Sequence, residues 1–307
     1  MVVSNHLLHG DCLSRLASLP DASVRLVLCD LPYDTTQNDW ECPIPLEQLW
    51  PEYWRVLVPD GAVVLTSQGL FTARLLLSQP KHFKYKLIWK KSKATNFLNA
   101  KKQPLRRHED VCVFYRQPAV YHPQMRPGEA YDKGTRKSQF TGSYGEFSPI
   151  RVQSEGGRYP DDFIETATAE AEGPVWHPTQ KPVALGRYLV RTYSNPGDVV
   201  LDTTFGSGSF LVAALAEGRN FVGIEKTREH RLFKGDRRVD LFAVAEARLW
   251  QVWQELDAEK RAQIIRSPLI DKLDDPAEGR RYAQLLEQAR AERNPKKKTK
   301  KNETEGA

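Results

Sequence analysis

Residues 199–225 carry the pattern that most restricts the fold. Val199-Val200-Leu201 is a short continuous apolar run ending at Asp202. The next stretch, Thr203 to Phe210, contains Gly206-Ser207-Gly208, and a helical apolar segment runs from Phe210 to Ala216. Gly218 stops that segment, and Asn220 to Ile224 forms a second apolar run ending at Glu225. Buried strand, helix and buried strand in this order make a βαβ unit of a parallel sheet. Glycines let backbone approach a ligand closely, and a helix N-terminus aims N–H donors at it. The acid after the second strand stands near the offset at which nucleotide-binding units meet ribose hydroxyls. Leu211 occupies the place of the third glycine in Gly-x-Gly-x-x-Gly, which disfavours a nicotinamide or flavin dinucleotide.

The N-terminal region has the same grammar. His6 to Gly10 reads as a strand followed by Asp11. Cys12 to Leu19 has helical spacing and stops at Pro20, and Ser23 to Cys29 is a strand that delivers Asp30-Leu31-Pro32-Tyr33. Asp11 and Asp30 then emerge at one sheet edge, the edge where open α/β sheets bind ligands. Asp11 suits a helix N-cap as well as a ligand contact. At Asp30–Tyr33 the carboxylate can accept a hydrogen bond, the proline can fix the turn and the ring can stack on a flat heterocycle. That set suits chemistry on a nucleobase amino group; taken alone, it also fits an ordinary turn.

Between these units, Asp34 to Cys42 reads as a polar loop, Leu46 to Val56 as a helix and Pro59-Asp60-Gly61 as a turn. A strand at Ala62–Thr66, a helix at Phe71–Leu77 and a strand at Tyr85–Trp89 follow. Lys90 to Arg107 is strongly basic and lacks a clean period. Lys91, Lys93, Asn96, Lys101, Lys102, Arg106 and Arg107 are its candidate DNA contacts, with a solvated loop as the alternative. His108-Glu109 leads into a strand at Val111–Tyr115, expected to pair antiparallel at the end of the sheet. From Pro118 to Pro174 apolar periodicity is lost, and aromatic residues interleave with basic ones, Arg136 and Lys137 among them. Such a stretch serves nucleic-acid recognition or forms a small subdomain with its own aromatic core. His177-Pro178-Thr179-Gln180-Lys181-Pro182 opens a helix from about Val183 to Tyr193. Helical periodicity returns at Val239–Leu256 and Arg280–Glu292, and the Lys-rich run after Pro295 reads as a disordered tail.

With 307 residues, one α/β domain with insertions fits better than two equal domains. A net charge of +6 mildly favours a polyanionic partner. No stretch reads as a signal peptide or a membrane span, and the four cysteines have no metal-ligand spacing, so no metal and a reducing cytoplasm are expected.

Together these motifs resemble the β group of DNA amino methyltransferases, enzymes that methylate adenine N6 or cytosine N4. Asp30-Leu31-Pro32-Tyr33 stands for the catalytic Asp/Asn/Ser-Pro-Pro-Tyr/Phe motif, with Leu31 in place of the first proline. Leu201 to Gly208 stands for the cofactor loop, with Thr203 and Thr204 in place of the usual Pro-Phe. The order of catalytic motif, insertion, His177–Pro182 and cofactor loop is the circularly permuted order of that group. The resemblance spans roughly residues 5–228, the insertion excepted.

This likeness implies a Rossmann-like, mostly parallel seven-stranded sheet with an antiparallel terminal strand. It implies S-adenosylmethionine as cofactor, double-stranded DNA as partner and adenine as the base, since Asp at the first motif position is typical of N6 enzymes. Cytosine N4, RNA, or a noncatalytic DNA-binding relative are the alternatives. Asp30, Leu31, Pro32 and Tyr33 would be catalytic, with Tyr33 stacking on a flipped base. Asp202 and the backbone of Gly206, Ser207 and Gly208 would hold the methionine portion, with Thr203 and Phe205 also cofactor-binding, Glu225 would take the ribose and Asp11 the adenine amine. Thr179 and Lys181 would line the carboxylate side, with Lys181 as the anion partner. A homodimer and a separate restriction enzyme are compatible partners. The expected division is a catalytic half at 1–117, a target-recognition insertion at 118–174, a cofactor half at 175–230, a helical region at 231–295 and a basic tail at 296–307.

Overall fold

The computed structural model describes residues 4–33, 43–136, 150–177, 179–231 and 238–293. The expected loop at Asp34–Cys42, Lys137 and the basic tail lie outside them. Buried apolar runs make the strands of one central sheet: β1 (His6–His9), β2 (Val24–Cys29), β3 (Leu57–Ser67), β4 (Phe83–Thr95) and β5 (Arg106–Phe114). In the insertion, β6 (Arg126–Pro127) pairs with β9 (Gly157–Arg158), and β7 (Tyr131–Arg136) with β8 (Ile150–Ser154). β10 (Phe163–Thr166), β11 (Val199–Asp202) and β12 (Asn220–Glu225) return to the central sheet. A small ribbon, β13 (Glu229–Arg231) with β14 (Arg238–Asp240), follows. The central sheet has eight strands in the order β1-β12-β11-β2-β3-β5-β4-β10.

All neighbours are parallel except β5, which runs antiparallel to both β3 and β4. The fold class agrees with the expectation, and two details differ from it. The antiparallel strand is internal, and β10 adds an eighth strand beside β4 from the stretch assigned to the insertion. Short mixed sequences such as Phe163–Thr166 carry no strand signal of their own; their strand exists through pairing with β4.

Helices cover both faces. α1 (Cys12–Leu16), α2 (Leu46–Val56) and α3 (Leu70–Ser78) lie on one side, while α5 (Val183–Tyr193), α6 (Ser209–Ala216) and α7 (Leu241–Glu255) pack on the other, α4 (Ala169–Glu172) being a single turn between. The C-terminal α8 (Ala258–Ala262), α9 (Pro268–Asp274) and α10 (Pro276–Arg293) extend the second layer. β2 shows why both faces fill. Leu26 and Leu28 enter one core and Val27 and Cys29 the other, all fully buried, because successive strand side chains alternate.

Pro59-Asp60-Gly61, expected to turn the chain, instead bulges within β3. Val24 pairs with Leu57 and Leu26 with Ala62, so β3 spends three extra residues there. A Cβ on Gly61 would stand 2.6 Å from the Arg25 carbonyl oxygen, which explains the glycine. β11 and β2 are adjacent, and their following helices lead to strands on opposite sides, β12 and β3. The carboxyl edge between β11 and β2 is therefore a topological switch point, where such sheets open a crevice.

Candidate active site

A cleft of about 860 Å³ opens along this edge. Asp11, Gly206, Ser207 and Glu225 line one end; Asp30, Tyr33, Trp89, Lys91, Glu109 and Lys181 line the other. The two ends are built differently.

At the first end the turn after β11 is held from several sides. Gly206 and Gly208 adopt φ of 52° and 79°, the left-handed region that favours glycine. Glu225 accepts the Gly206 N–H at 2.9 Å and the Thr227 N–H at 2.8 Å. Phe205 packs edge-on against Phe242 of α7, with centroids 5.1 Å apart. Arg248 of α7 donates to the Ser207 carbonyl at 2.6 Å and to the hydroxyls of Ser207 and Ser209. Its burial lowers its pKa to about 10, with Glu172 opposing. The Gln180 side-chain carbonyl accepts from the Ser207 hydroxyl and from the Trp176 N–H, both at 3.0 Å. The His177–Pro182 stretch is thereby tied to the glycine loop. Thr179 bonds His177 Nδ1 at 3.1 Å and lines the cleft.

Asp202 is a buried and Glu225 a half-buried carboxyl at this end, and among the described residues neither forms an ion pair. Burial raises both pKa values, that of Asp202 well above its ordinary range, and the Asp30 and Glu225 charges add to the rise at Asp202. Asp11 caps α1, accepting from the Leu13 and Ser14 N–H groups at 3.1 and 3.3 Å, while also lining the cleft. Its two possible roles are compatible in one geometry.

At the second end, Asp30 sits just past β2. Its Oδ1 accepts the Thr66 hydroxyl at 2.5 Å and the Tyr33 hydroxyl at 2.7 Å, and its Oδ2 accepts Lys181 Nζ at 2.5 Å. Lys181 also reaches Glu109 at 3.4 Å, and Glu109 pairs with Lys91 at 2.8 Å. Two carboxylates and two ammonium groups thus neutralise each other. Burial pushes the Glu109 carboxyl up, but Lys181 and Lys91 outweigh it and hold the pKa below its ordinary value. Burial likewise depresses Lys181, and Asp30 and Glu109 outweigh it, leaving the ammonium above its ordinary value. Tyr33 stacks on Phe71 at 5.2 Å, with Lys181 Nζ 5.3 Å from its ring centre. Leu31 is buried in the core beside α2, next to Pro32 in the cleft wall.

Several expectations change here. Lys181, read as a partner for a cofactor carboxylate, has its charge engaged by Asp30 and Glu109. Lys91, read as a DNA contact, is only 6% exposed and paired with Glu109; a strand position that points into the cleft removes it from solvent. The Thr203 side chain turns away into the core, bonding the Tyr53 hydroxyl at 2.7 Å and lying 3.4 Å from Cys29 Sγ. Lys93, Lys101, Lys102, Arg106 and Arg107 are exposed on β4, β5 and their connection, with half-buried Asn96 among them. Arg136 stands on β7, in a region where Arg158 and Lys133 lie over the Tyr131 ring at 4.6 and 5.1 Å.

Sequence reasoning missed Glu109 as a site residue, and Thr66, Thr204 and Arg248 with it. Glu109 had a usable signal. It begins an antiparallel strand, so its end of that strand lies at the carboxyl edge of the others. Thr204 donates to the Asp30 carbonyl at 3.0 Å and joins the two ends of the cleft.

An α/β sheet with a glycine-rich turn, a strand-end acid and a second catalytic-type carboxylate in one cleft defines a nucleotide-binding transferase architecture. The family model for N6/N4 DNA methylases matches residues 24–232, and the chain belongs to that family. It is 28% identical over 251 residues to DNA adenine methyltransferase YhdJ of Escherichia coli K12, covering 76% of this chain and 82% of that protein. The M1.HpyAVI–SAM complex superposes with a TM-score of 0.51 at 20% identity, over 80% of this chain and 99% of that one. The cytosine-N4-specific PvuII DNA methyltransferase gives 0.53 at 15% identity, over 89% and 93%. These two structures share the fold. The protein is a DNA methyltransferase. Among the described residues no helix is long and apolar enough to cross a membrane, and no cluster of side chains is suited to a metal ion.

Proposed function

We propose that this chain transfers a methyl group from S-adenosylmethionine to the exocyclic N6 of adenine in double-stranded DNA. The observation that carries the reading is the state of the Asp30 carboxylate. A carboxylate offers about four lone-pair sites. Thr66 and Tyr33 occupy two on Oδ1 and Lys181 one on Oδ2, so among the described residues one site on Oδ2 is left over, on a carboxylate that lines the cleft.

That open site accepts a hydrogen bond from the amine of a flipped base. The bond raises electron density on the nitrogen as it attacks. Thr66, Tyr33 and Lys181 hold the acceptor still, so little reorganisation accompanies the attack. Tyr33 lines the cleft beside Asp30 and is the ring against which the flipped base would stack. After transfer, the excess proton on the amine leaves through the Asp30 side of the cleft.

The other end fits the cofactor on its own chemistry. Two carboxyls, Asp202 buried and Glu225 half-buried, that have no ion-pair partner among the described residues stand beside a left-handed glycine turn and suit a ligand that brings positive charge and hydroxyl donors. When bound, S-adenosylmethionine supplies an electrophilic methyl on a positively charged sulfur. Glu225 retains lone pairs for ribose hydroxyls, Asp11 lies within the same end, and the Gly206–Gly208 backbone leaves room for close approach. Asp202 would supply negative charge to the positively charged methionine portion once that ligand favours its ionised form.

Asp as the first residue of the catalytic motif and the adenine specificity of the YhdJ relative both support adenine. The test uses labelled S-adenosylmethionine with unmethylated DNA or RNA, followed by digestion to nucleosides. Label in N6-methyladenosine from DNA is the expected result. Label in N4-methylcytosine would overturn the base assignment, and label confined to RNA would overturn the substrate.

A further inference from the structure

Phe97 and Leu98 are among the most exposed large apolar side chains, at 76% and 84%. They are adjacent and form the tip of the connection between β4 and β5. Nothing in the catalytic reading uses them. We propose that this tip is a wedge that enters the DNA duplex beside the target base and fills the gap left when the base flips. The proposal rests on the reading that the cleft takes an extrahelical base.

Three features point the same way. The first is placement. Thr95, Asn96 and Arg106, at the root of the connection, line the cleft that holds Asp30. Phe97 follows Asn96 directly, so the apolar tip begins about one Cα spacing, ~3.8 Å, from the cleft wall. A duplex positioned to deliver a base to Asp30 therefore meets this tip.

The second is rigidity. Thr95 pairs with Arg106, closing the connection at its root. Phe97–Asn99 form a 3-10 turn, and Asn99 Nδ2 donates to the Asn96 side chain at 2.8 Å. The Lys102 and Gln103 N–H groups both bond the Asn99 carbonyl, at 2.8 and 3.0 Å. Asn96 takes a φ of 71°, which bends the chain into the turn. The apolar pair is thus presented on a braced support, and its insertion pays little ordering entropy.

The third is charge. Lys93, Lys101, Lys102 and Arg107 are exposed around the tip, and among the described residues none of them forms an ion pair. A protein partner would need matching acids and an apolar pocket. A duplex offers both a phosphate array for the cations and an apolar base stack for the tip.

The test compares the wild type with the double variant Phe97→Ser/Leu98→Ser. Both side chains are exposed, so unchanged thermal melting and unchanged S-adenosylmethionine affinity are the expected controls. The recognition site is first located by modification-sensitive sequencing of DNA from expressing cells. Duplexes then carry 2-aminopurine at the target position, whose fluorescence rises on flipping. The variant is expected to lose most of that rise and, on the paired duplex that carries adenine at the target position, about tenfold or more in kcat/KM, because a paired base must be unstacked before it reacts. On a duplex with the target adenine opposite an abasic site, the variant is expected to recover to within about twofold of wild type, since the unpaired base flips at low cost.

Equal loss on paired and abasic duplexes overturns the wedge and leaves only general DNA affinity. Wild-type behaviour of the variant on paired duplex also overturns it. Methylation by the wild-type protein with no fluorescence rise overturns base flipping itself, and the wedge with it. A Lys101→Gln/Lys102→Gln variant should weaken both duplexes alike and flatten the salt dependence; selective failure on paired duplex would assign the wedge role to charge and overturn it for the apolar pair.

Discussion

The two ends of the cleft use the same residue types in opposite ways. Asp202 is buried and Glu225 half-buried, neither is paired with a cation among the described residues, and desolvation raises their pKa values. Asp30 and Glu109 are acids of comparable burial locked to Lys181 and Lys91, and the Glu109 pKa falls. One end is electrostatically incomplete and is completed by a positively charged ligand. The other is neutralised in advance and presents a fixed acceptor. Binding and chemistry are thereby separated within one crevice.

The sharpest way to break this contrast is Asp30→Ala. It should reduce methyl transfer by about a thousandfold or more while S-adenosylmethionine affinity by calorimetry changes little, as expected for an acceptor that acts in the transition state. Parallel loss of cofactor binding would show that the ends are not separable. Next in size, Lys181→Met leaves Asp30 without its cation and Glu109 with Lys91 alone. Removing one member of a buried ionic cluster costs roughly 3 kcal/mol or more, read as a lower midpoint in urea. Adding Glu109→Gln to that variant should restore part of the loss; no recovery would mean that Lys181 stabilises by packing alone.

Glu225→Gln tests the other end. It keeps an acceptor for the Gly206 N–H but loses the charge, so S-adenosylmethionine affinity should fall about tenfold with little change in kcat. The smallest effect is in pH. Asp202 and Glu225 have raised values in the free protein, and a cationic ligand favours their ionised forms. Binding should therefore release protons, and affinity should strengthen as pH rises through those raised values. Calorimetry in buffers of different ionisation enthalpy measures the release directly; proton uptake would refute it.

The catalytic end should behave otherwise. The Glu109 contribution to stability is complete above its ordinary carboxylate value and is lost as pH falls through its lowered folded value. The Lys181 contribution is complete below its ordinary amine value and is lost as pH rises through its raised one. Between those limits Glu109 and Lys181 keep their charges.

Much of this was legible without coordinates. The apolar runs ending at Asp30, Asp202 and Glu225 identify strands whose ends share an edge, and the helix expected from Val183 to Tyr193 lies at those bounds. The losses have local causes. Pro59-Asp60-Gly61 reads as a turn because turns and bulges recruit the same residues. The basic stretch from Lys90 hides the end of β4, where Lys91 points inward and Lys90 outward to Glu165. Charge counted along a chain does not record which side chain faces which layer.

What the amino-acid sequence determined by itself is the α/β order, the glycine turn and the set of acids at strand ends. Those follow from periodicity and backbone preference, which act over a few residues. What only the tertiary structure decided is how each acid is charged and used. Asp30 meets a lysine 151 positions away, Glu109 joins because an antiparallel strand starts at the shared edge, and Asp202 and Glu225 meet no cation among the described residues. Ion pairing depends on which strands and helices become neighbours, and that order is set by packing the whole sheet.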